Sequence, residues 1–441
     1  MQVHRTRVRF LCYTIQSVVH GASTPNHSPV NEEPEHMPTV IEIRRTYKYP
    51  FFENAKKNAL LHDRINIAGI IHNHALALHR RYYRLTGQYI SLGRVKKHIA
   101  KLRMKTEKYA YWKLVGSQAV QDILERLDKS FQRFFKKKGG LPRFKPVRKY
   151  KSFTLKATAG WELGEDTHQR GSKKHPKFTG HVRIMGVWYE FVKHRPMNGD
   201  IKTVTIKRDV ANRLWVCFSV IEKIVIEDEI SAGKIGGFDF GLRHFLTNDE
   251  GQIIDAPQFF KQDLPRMRQI QSCVSKKVDG SNNKRNGRKH IARRHIRIAD
   301  KRQDFHFKLA NELCDSYDVL IFETLNISAM KRLWGRKISD LGFAQFLTIL
   351  KFVALKWHKR VLFIDRWERT TGKCSNCGHK KNLELKDRTF KCNVCDLVLD
   401  RDHNAALNIV EAGHRLILSE SDNSQSDLCV PMLTTDATSF S

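Results

Sequence analysis

Cys374-Ser-Asn-Cys377 and Cys392-Asn-Val-Cys395 are two Cys-x-x-Cys pairs with fourteen residues between them. Two thiolates separated by two residues can bend round one tetrahedral metal, and a second such pair completes its shell. This spacing predicts one Zn²⁺ held by Cys374, Cys377, Cys392 and Cys395. Four protein ligands leave no open position, so the zinc is structural. Asp402 follows the last cysteine by seven residues and opens an amphipathic stretch, Asn404 to Ala412, which Gly413 is expected to end.

The chain around this site has 441 residues, with 79 Lys and Arg against 45 Asp and Glu, a formal charge of +34. Such an excess calls for a polyanionic partner, and nucleic acid is the usual one. Charge alone would also suit an anionic membrane. However, no apolar run approaches the ~18 residues that a span needs. Outside the zinc motif, Cys12, Cys217, Cys273, Cys314 and Cys429 follow no pattern. Lone cysteines beside zinc thiolates imply a reducing, cytosolic compartment. Met1 to Ala22 lacks a cleavage signature, because Gln16 interrupts its short apolar run and no small-residue site follows.

Residues 1–37 read as a flexible leader, and a first strand is expected from Met37 to about Pro50. From Phe51 to Phe135 the apolar residues recur at helical spacing, with breaks near Tyr89 and Ser117. Arg133 to Lys151 carries nine basic residues and no acid, interleaved with Phe134, Phe135, Phe144 and Tyr150. Cations between aromatic faces suit a sugar–phosphate backbone with base stacking, and Arg143 and Lys145 are its candidate contacts. Ser152 to Val225 alternates in the manner of strands, with Gly160 to Lys174 as a polar loop. Together with the first strand this predicts a small split β-barrel carrying a helical insertion.

Beyond Ala232 the pattern changes. Ile235 to Leu242 is an apolar strand holding one carboxylate, Asp239, and a hairpin follows it. Lys276 to Arg302 has eleven basic residues against two acids. Gly280 to Gly287 reads as a loop, and a helix is expected from Arg288. Arg293, Arg294, Arg297 and Lys301 lie on its basic face, which suits phosphates. Asp318 to Asn326 is a second buried strand, again with one carboxylate, Glu323. A basic loop from Lys331 to Lys337, a helix from about Gly342 to His358 and a strand from Arg360 to Asp365 complete the approach to the cysteines. From Ser419 the chain is polar and Ser-rich, which predicts disorder.

A carboxylate inside an apolar strand is costly unless a metal or a cation compensates it. Asp239, Glu323 and Asp402 are far apart in sequence, so only a fold can unite them. A mixed sheet with a βββ start, a basic helix and a later central strand is the RNase H-like plan, in which the first and fourth strands are neighbours. Three acids gathered there repel one another unless cations intervene. Two Mg²⁺ would do so while activating a water and stabilising a leaving 3′ oxygen.

The segments Gly-Phe-Asp239-Phe-Gly-Leu, Ile-Phe-Glu323-Thr-Leu-Asn, the four-cysteine ribbon and Asp400-Arg-Asp402-His-Asn-Ala-Ala-Leu-Asn-Ile resemble the TnpB (OrfB) family. These are transposon-encoded RNA-guided nucleases related to compact type V CRISPR effectors. The similarity extends over about Ile41 to Ala412. It implies a multidomain α+β chain with an RNase H-like (RuvC-like) nuclease domain at 229–370 and 397–413 and an inserted zinc ribbon at 371–396. A split oligonucleotide-binding-like β-barrel, the wedge, would occupy 38–50 and 138–228. A helical recognition domain would lie at 51–137, and residues 414–441 would be a disordered tail. The resemblance further implies Mg²⁺-dependent cleavage of double-stranded DNA directed by a guide RNA, with a short adjacent motif read by the protein. It assigns Asp239, Glu323 and Asp402 to catalysis and Mg²⁺ binding; Asp400, two residues away, is either a further contributor to the metal site or the cap of the helix. No membrane and no small-molecule cofactor is expected, and the compartment would be the prokaryotic cytoplasm, on the nucleoid when DNA is bound. The alternatives are a guided repressor that does not cut, a CRISPR effector with a different guide source, and a transposase that joins strands. An intact acid trio argues against the repressor. The leader and Thr370-Thr371-Gly372, where relatives often have serines, depart from the family pattern.

Overall fold

The computed structural model describes residues 39–156, 159–170, 177–226, 233–384 and 387–422. Two compact units divide the chain, one built on Ile41–Ile224 and one on residues from Val225 onward. The leader and the residues beyond 422 lie outside the described residues, as do Cys12 and Cys429.

The first unit opens with β1 (Thr39–Pro50) and continues into α1 (Ala55–Thr86), α2 (Leu92–Lys105), a 3₁₀ segment (Glu107–Val115) and α3 (Ser117–Phe135). Asn54 caps α1 by accepting the Lys57 N–H at 3.0 Å, and Gly87 ends it in the left-handed region with φ 67°. Leu61, Ile65, Ala68, Ala75 and Leu76 bury one face of α1, while Val120, Ile123, Leu124 and Leu127 bury one face of α3. The strands are β2 (Ser152–Lys156), β3 (Trp161–Leu163), β4 (Thr167–Arg170), β5 (Lys177–Ile184), β6 (Val187–Lys193), β7 (Asp200–Arg208) and β8 (Leu214–Ile226). They form one sheet in the order β1-β8-β7-β2 and a second in which β3, β4 and β6 pair with β5. Two short strands thus occupy the stretch read as a polar loop. Each completes its backbone hydrogen bonds against β5, which the side-chain pattern did not reveal.

The second unit carries β9 (Ile235–Phe240), β10 (His244–Asn248), β11 (Ile253–Asp255), α4 (Phe259–Ser275) and α5 (Asn282–Ser316). It continues with β12 (Val319–Glu323), α6 (Ile327–Leu341), α7 (Phe343–Lys356), β13 (Arg360–Ile364), β14 (Thr389–Lys391), β15 (Val398–Asp400) and α8 (Arg401–Asp422). Its main sheet has the order β11-β10-β9-β12-β13. The first three strands are antiparallel, and β9, β12 and β13 are parallel to one another.

The side-chain period of two sorts this sheet into two faces. Phe240 meets Phe322, Phe343 and Phe346 at ring-centroid distances of 5.4, 4.9 and 6.1 Å, and Phe245 stacks on buried His306 at 5.6 Å. Gly237 and Ile321 point the other way, onto α8. A Cβ on Gly237 would lie 2.6 Å from the Ala406 carbonyl, and one on Gly413 would lie 2.1 Å from Ile321 Cδ1. Gly413 therefore does not end the helix. It permits close packing, and α8 runs on to Asp422 through the residues expected to begin the tail.

Two other expectations change for related reasons. Asn282 to Gly287 is helical, capped by Ser281, which accepts the Lys284 N–H at 3.1 Å. A Cβ on Gly287 would lie 2.5 Å from Val274 on α4, so this glycine also marks close packing. Lys331 to Lys337 belongs to α6, which is kinked at Trp334 rather than looped. Among the described residues no single helix is long and apolar enough to cross a membrane; the bent pair α6–α7 passes by length and composition, though α7 buries its apolar side chains, among them Phe343, Phe346 and Leu350.

His79 of α1 packs against the rings of Tyr89 and Phe131, at 5.1 and 4.6 Å, and its Nδ1 has no hydrogen-bond partner. Burial lowers its pKa, and that of His72, to about 4. The unfolded imidazole titrates near 6.5, so this stability is fully present above about pH 6.5 and is lost as pH falls toward 4. Urea unfolding midpoints should drop across that window. His79→Phe should flatten the drop, and an unchanged pH slope in the variant would refute the assignment.

Candidate metal centre

Asp239 and Glu323 reach one edge of the sheet because β9 and β12 are parallel neighbours. Phe238 is the register partner of Phe322, so the next residue on each strand is a carboxylate on the same face. That face is the one α8 covers, and the first turn of α8 supplies Asp402. Asp400 Oδ1 accepts the backbone N–H groups of Asp402 and His403 at 2.8 and 3.3 Å, so Asp400 caps the helix. His403 Nε2 lies 3.0 Å from the Asp249 carbonyl in the β10–β11 turn, which fixes this end of α8 against the hairpin.

All three carboxylates are half-buried, and each is held above the usual carboxylate range. Burial raises Asp239 most, and the charges of Asp402 and Glu323 add to it, giving a pKa of about 7. Burial also raises Glu323, opposed by a hydrogen bond from Thr370. Asp402 is raised by burial and then by Asp400, with Arg388 and Arg401 opposing. Such a cluster favours a hard cation with oxygen ligands.

The four cysteines lie together. Their sulfurs fall within 4.8 Å of one another, with Cys374 3.6 Å from Cys395 and Cys377 3.5 Å from Cys392. Tetrahedral Zn²⁺ with bonds of about 2.3 Å would set its sulfurs about 3.7 Å apart. The donor set therefore fits one zinc. Among the described residues no carboxylate set is as tight. Two hard ions about 4 Å apart would need ligands spread more widely than one zinc does.

Two asparagines of α8 join the ribbon to the carboxylate edge. Asn404 accepts the Ser375 N–H at 3.0 Å and donates to the Lys373 carbonyl at 2.8 Å. Asn408 donates to the carbonyls of Thr370 and Lys373, both at 2.8 Å. Thr370, itself buried, is the neighbour whose side chain opposes the rise in the Glu323 pKa. The sequence shows Asn404 to Ala412 only as an amphipathic stretch, and this pair does not stand out in it. The available signal was their i, i+4 spacing within that stretch.

The basic residues divide. Asn73 of α1 holds Lys145 through its N–H at 3.0 Å and its carbonyl at 2.7 Å, and Arg80 donates to the Pro142 carbonyl at 3.1 Å. The Arg80 guanidinium also covers the Phe144 ring at 4.6 Å. This strapping leaves Arg143 and Lys145 exposed. Arg293, Arg297 and Lys301 are exposed along α5. Arg294 is not available in the same way, because its guanidinium grips both oxygens of Asp263 on α4.

Residues 343–409 match the family described as "Cas12f1-like, TNB domain", and residues 220–333 match OrfB_IS605, described as "Probable transposase". A Streptomyces pristinaespiralis protein named "Putative RNA-guided DNA endonuclease" is 28% identical over 375 residues, covering 84% of this chain and 90% of its own length. InsQ of Escherichia coli (strain K12), which has the same descriptive name, is 24% identical, with 79% and 87% covered. The fold is similar to that of Cas12f1 in its sgRNA–target DNA complex, with a TM-score of 0.50 at 15% identity, covering 81% of this chain and 83% of that one. These matches bear out the resemblance to the TnpB (OrfB) family.

Cys374→Ser should abolish zinc binding, measured by metal analysis of the purified protein; a full equivalent of retained zinc would refute the ligand set. Asn408→Ala withdraws a donor from the carbonyls of Thr370, Lys373 and Asn404 and should cost about 1–3 kcal/mol. It should also speed zinc loss to a chelator. Unchanged chelator resistance would show that the ribbon holds its metal independently of α8.

Proposed function

We propose that this chain is an RNA-guided, Mg²⁺-dependent DNA endonuclease of the TnpB type, with Asp239, Glu323 and Asp402 as its catalytic carboxylates. The observation that carries this reading is the placement of all three on one face and edge of the β11-β10-β9-β12-β13 sheet, under the start of α8. That strand order suits an RNase H-like (RuvC-like) nuclease domain, with the four-cysteine ribbon inserted ahead of its last helix. The relatives' names supply the guided, DNA-cutting part of the reading.

Mg²⁺ bound at the trio would supply Lewis-acid stabilisation of the phosphodiester's developing charge and a water acidified enough to attack it. Burial and two acidic neighbours raise the Asp239 pKa to about 7, so that near neutral pH it is only partly ionised and would lose its remaining proton as the cation arrives. Thr370 steadies Glu323, and Asp400 fixes the helix turn that presents Asp402. The zinc is structural and takes no part in the reaction. In the first unit, the two sheets would form the wedge, with the helices from α1 to α3 as the recognition insertion. Arg143, Lys145, Arg293, Arg297 and Lys301 would contact nucleic-acid phosphates.

The test is to purify the protein from cells carrying its native locus, sequence the bound RNA and replace that RNA's guide segment. Cutting of double-stranded DNA in Mg²⁺ should move to the new matching site. Glu323→Gln should retain the RNA and lose more than about a hundred-fold in cutting, since even partners outside the ligand shell are worth 10–100-fold. No bound RNA, or cutting indifferent to the guide, would refute the reading.

A further inference from the structure

The turn leaving β13 stands at the same sheet edge as the carboxylates. Ile364, the last residue of β13, is the register partner of Glu323, and Thr324 Oγ1 donates to its carbonyl at 2.7 Å. Three residues on, Trp367 is 78% exposed, and among the described residues no large apolar side chain is more so. The turn that carries it is anchored. The Trp367 N–H donates to Asp365 Oδ1 at 2.7 Å, and the Glu368 N–H to the Asp365 carbonyl at 3.1 Å. The Glu368 carboxylate is then tied to Arg415 of α8 at 2.6 Å. The Arg366 guanidinium lies 4.9 Å from the centroid of the indole's ring, and Arg369 is exposed close by.

An indole left in water on an anchored turn forgoes a large burial, which a ligand with its own flat apolar face would recover. Arginines on either side disfavour a purely apolar protein partner and suit a base on its phosphate backbone. The position beside Glu323 suits the strand being cut, which must lie unpaired for its phosphodiester to reach recessed carboxylates. We propose that Arg366 and Trp367 form a stacking platform for a base of the single DNA strand entering the carboxylate site. This rests on the nuclease reading and adds a substrate-binding element to it.

The test uses the full-length protein loaded with its guide RNA, and target DNA carrying 2-aminopurine in the unpaired stretch beside the cut. Stacking on Trp367 should quench the probe in the parent and in Trp367→Phe, but not in Trp367→Ala. Trp367→Ala should slow single-turnover cutting by roughly 5- to 150-fold, the range that one base–aromatic stack implies. Its guide-RNA affinity and zinc content should match the parent's. Parental quenching and rate in Trp367→Ala, with Asp239→Ala inactive, would overturn the platform and leave the nuclease reading standing. Loss of guide RNA or zinc in Trp367→Ala would make the residue structural, which also overturns the platform. Parental cutting by Asp239→Ala would overturn the nuclease reading on which it rests.

Discussion

The close seating of α8 on the sheet is the contact on which the candidate site depends. Gly237 lets the backbone of α8 approach β9, and Gly413 lets β12 press Ile321 against the helix. Ile321, Ile409 and Ala412 form the apolar contact around these points. Only with the helix this close does its first turn bring Asp402 to the face shared by Asp239 and Glu323. The burial that creates the contact also raises all three carboxylates, so packing and charge are set by the same geometry.

The zinc ribbon serves this arrangement from the side. Its metal would fix Lys373 to Ser375, whose backbone groups are the partners of Asn404 and Asn408. Asn408 also holds the Thr370 carbonyl, and the Thr370 side chain opposes the rise in the Glu323 pKa. The Lys373–Glu411 ion pair adds a further tie to α8, at 2.7 Å. A metal held by the four cysteines would thus act on the candidate carboxylates from a distance, by limiting how far α8 and the ribbon shift against each other.

Part of this was legible in the chain because two of the carboxylates interrupt an apolar pattern. Asp239 and Glu323 each stand in a strand that otherwise buries itself, and the cysteine spacing allows few readings. What escaped was information carried by contact rather than pattern. In sequence Gly287 and Gly413 resemble breaks, yet both mark close approach inside helices. The basic run in α6 looked like a loop because nothing local distinguishes a solvated helix from one. Arg294 differs from its basic neighbours only through Asp263, which faces it from α4. The exposure of Trp367 could not be read at all, since an indole in sequence is more often buried.

The central claim is that Asp239, Glu323 and Asp402 act as one metal-holding unit, and a mutant cycle tests it most directly. Single-turnover cutting would be measured for guide-loaded Asp239→Ala and Asp402→Ala proteins and for the double variant, each with full RNA and zinc content. Groups that act together are non-additive. The account predicts that each single variant falls to the background rate and that the double variant falls no further. A single variant cutting within about ten-fold of the parent, or losses that simply multiply in the double variant, would contradict it.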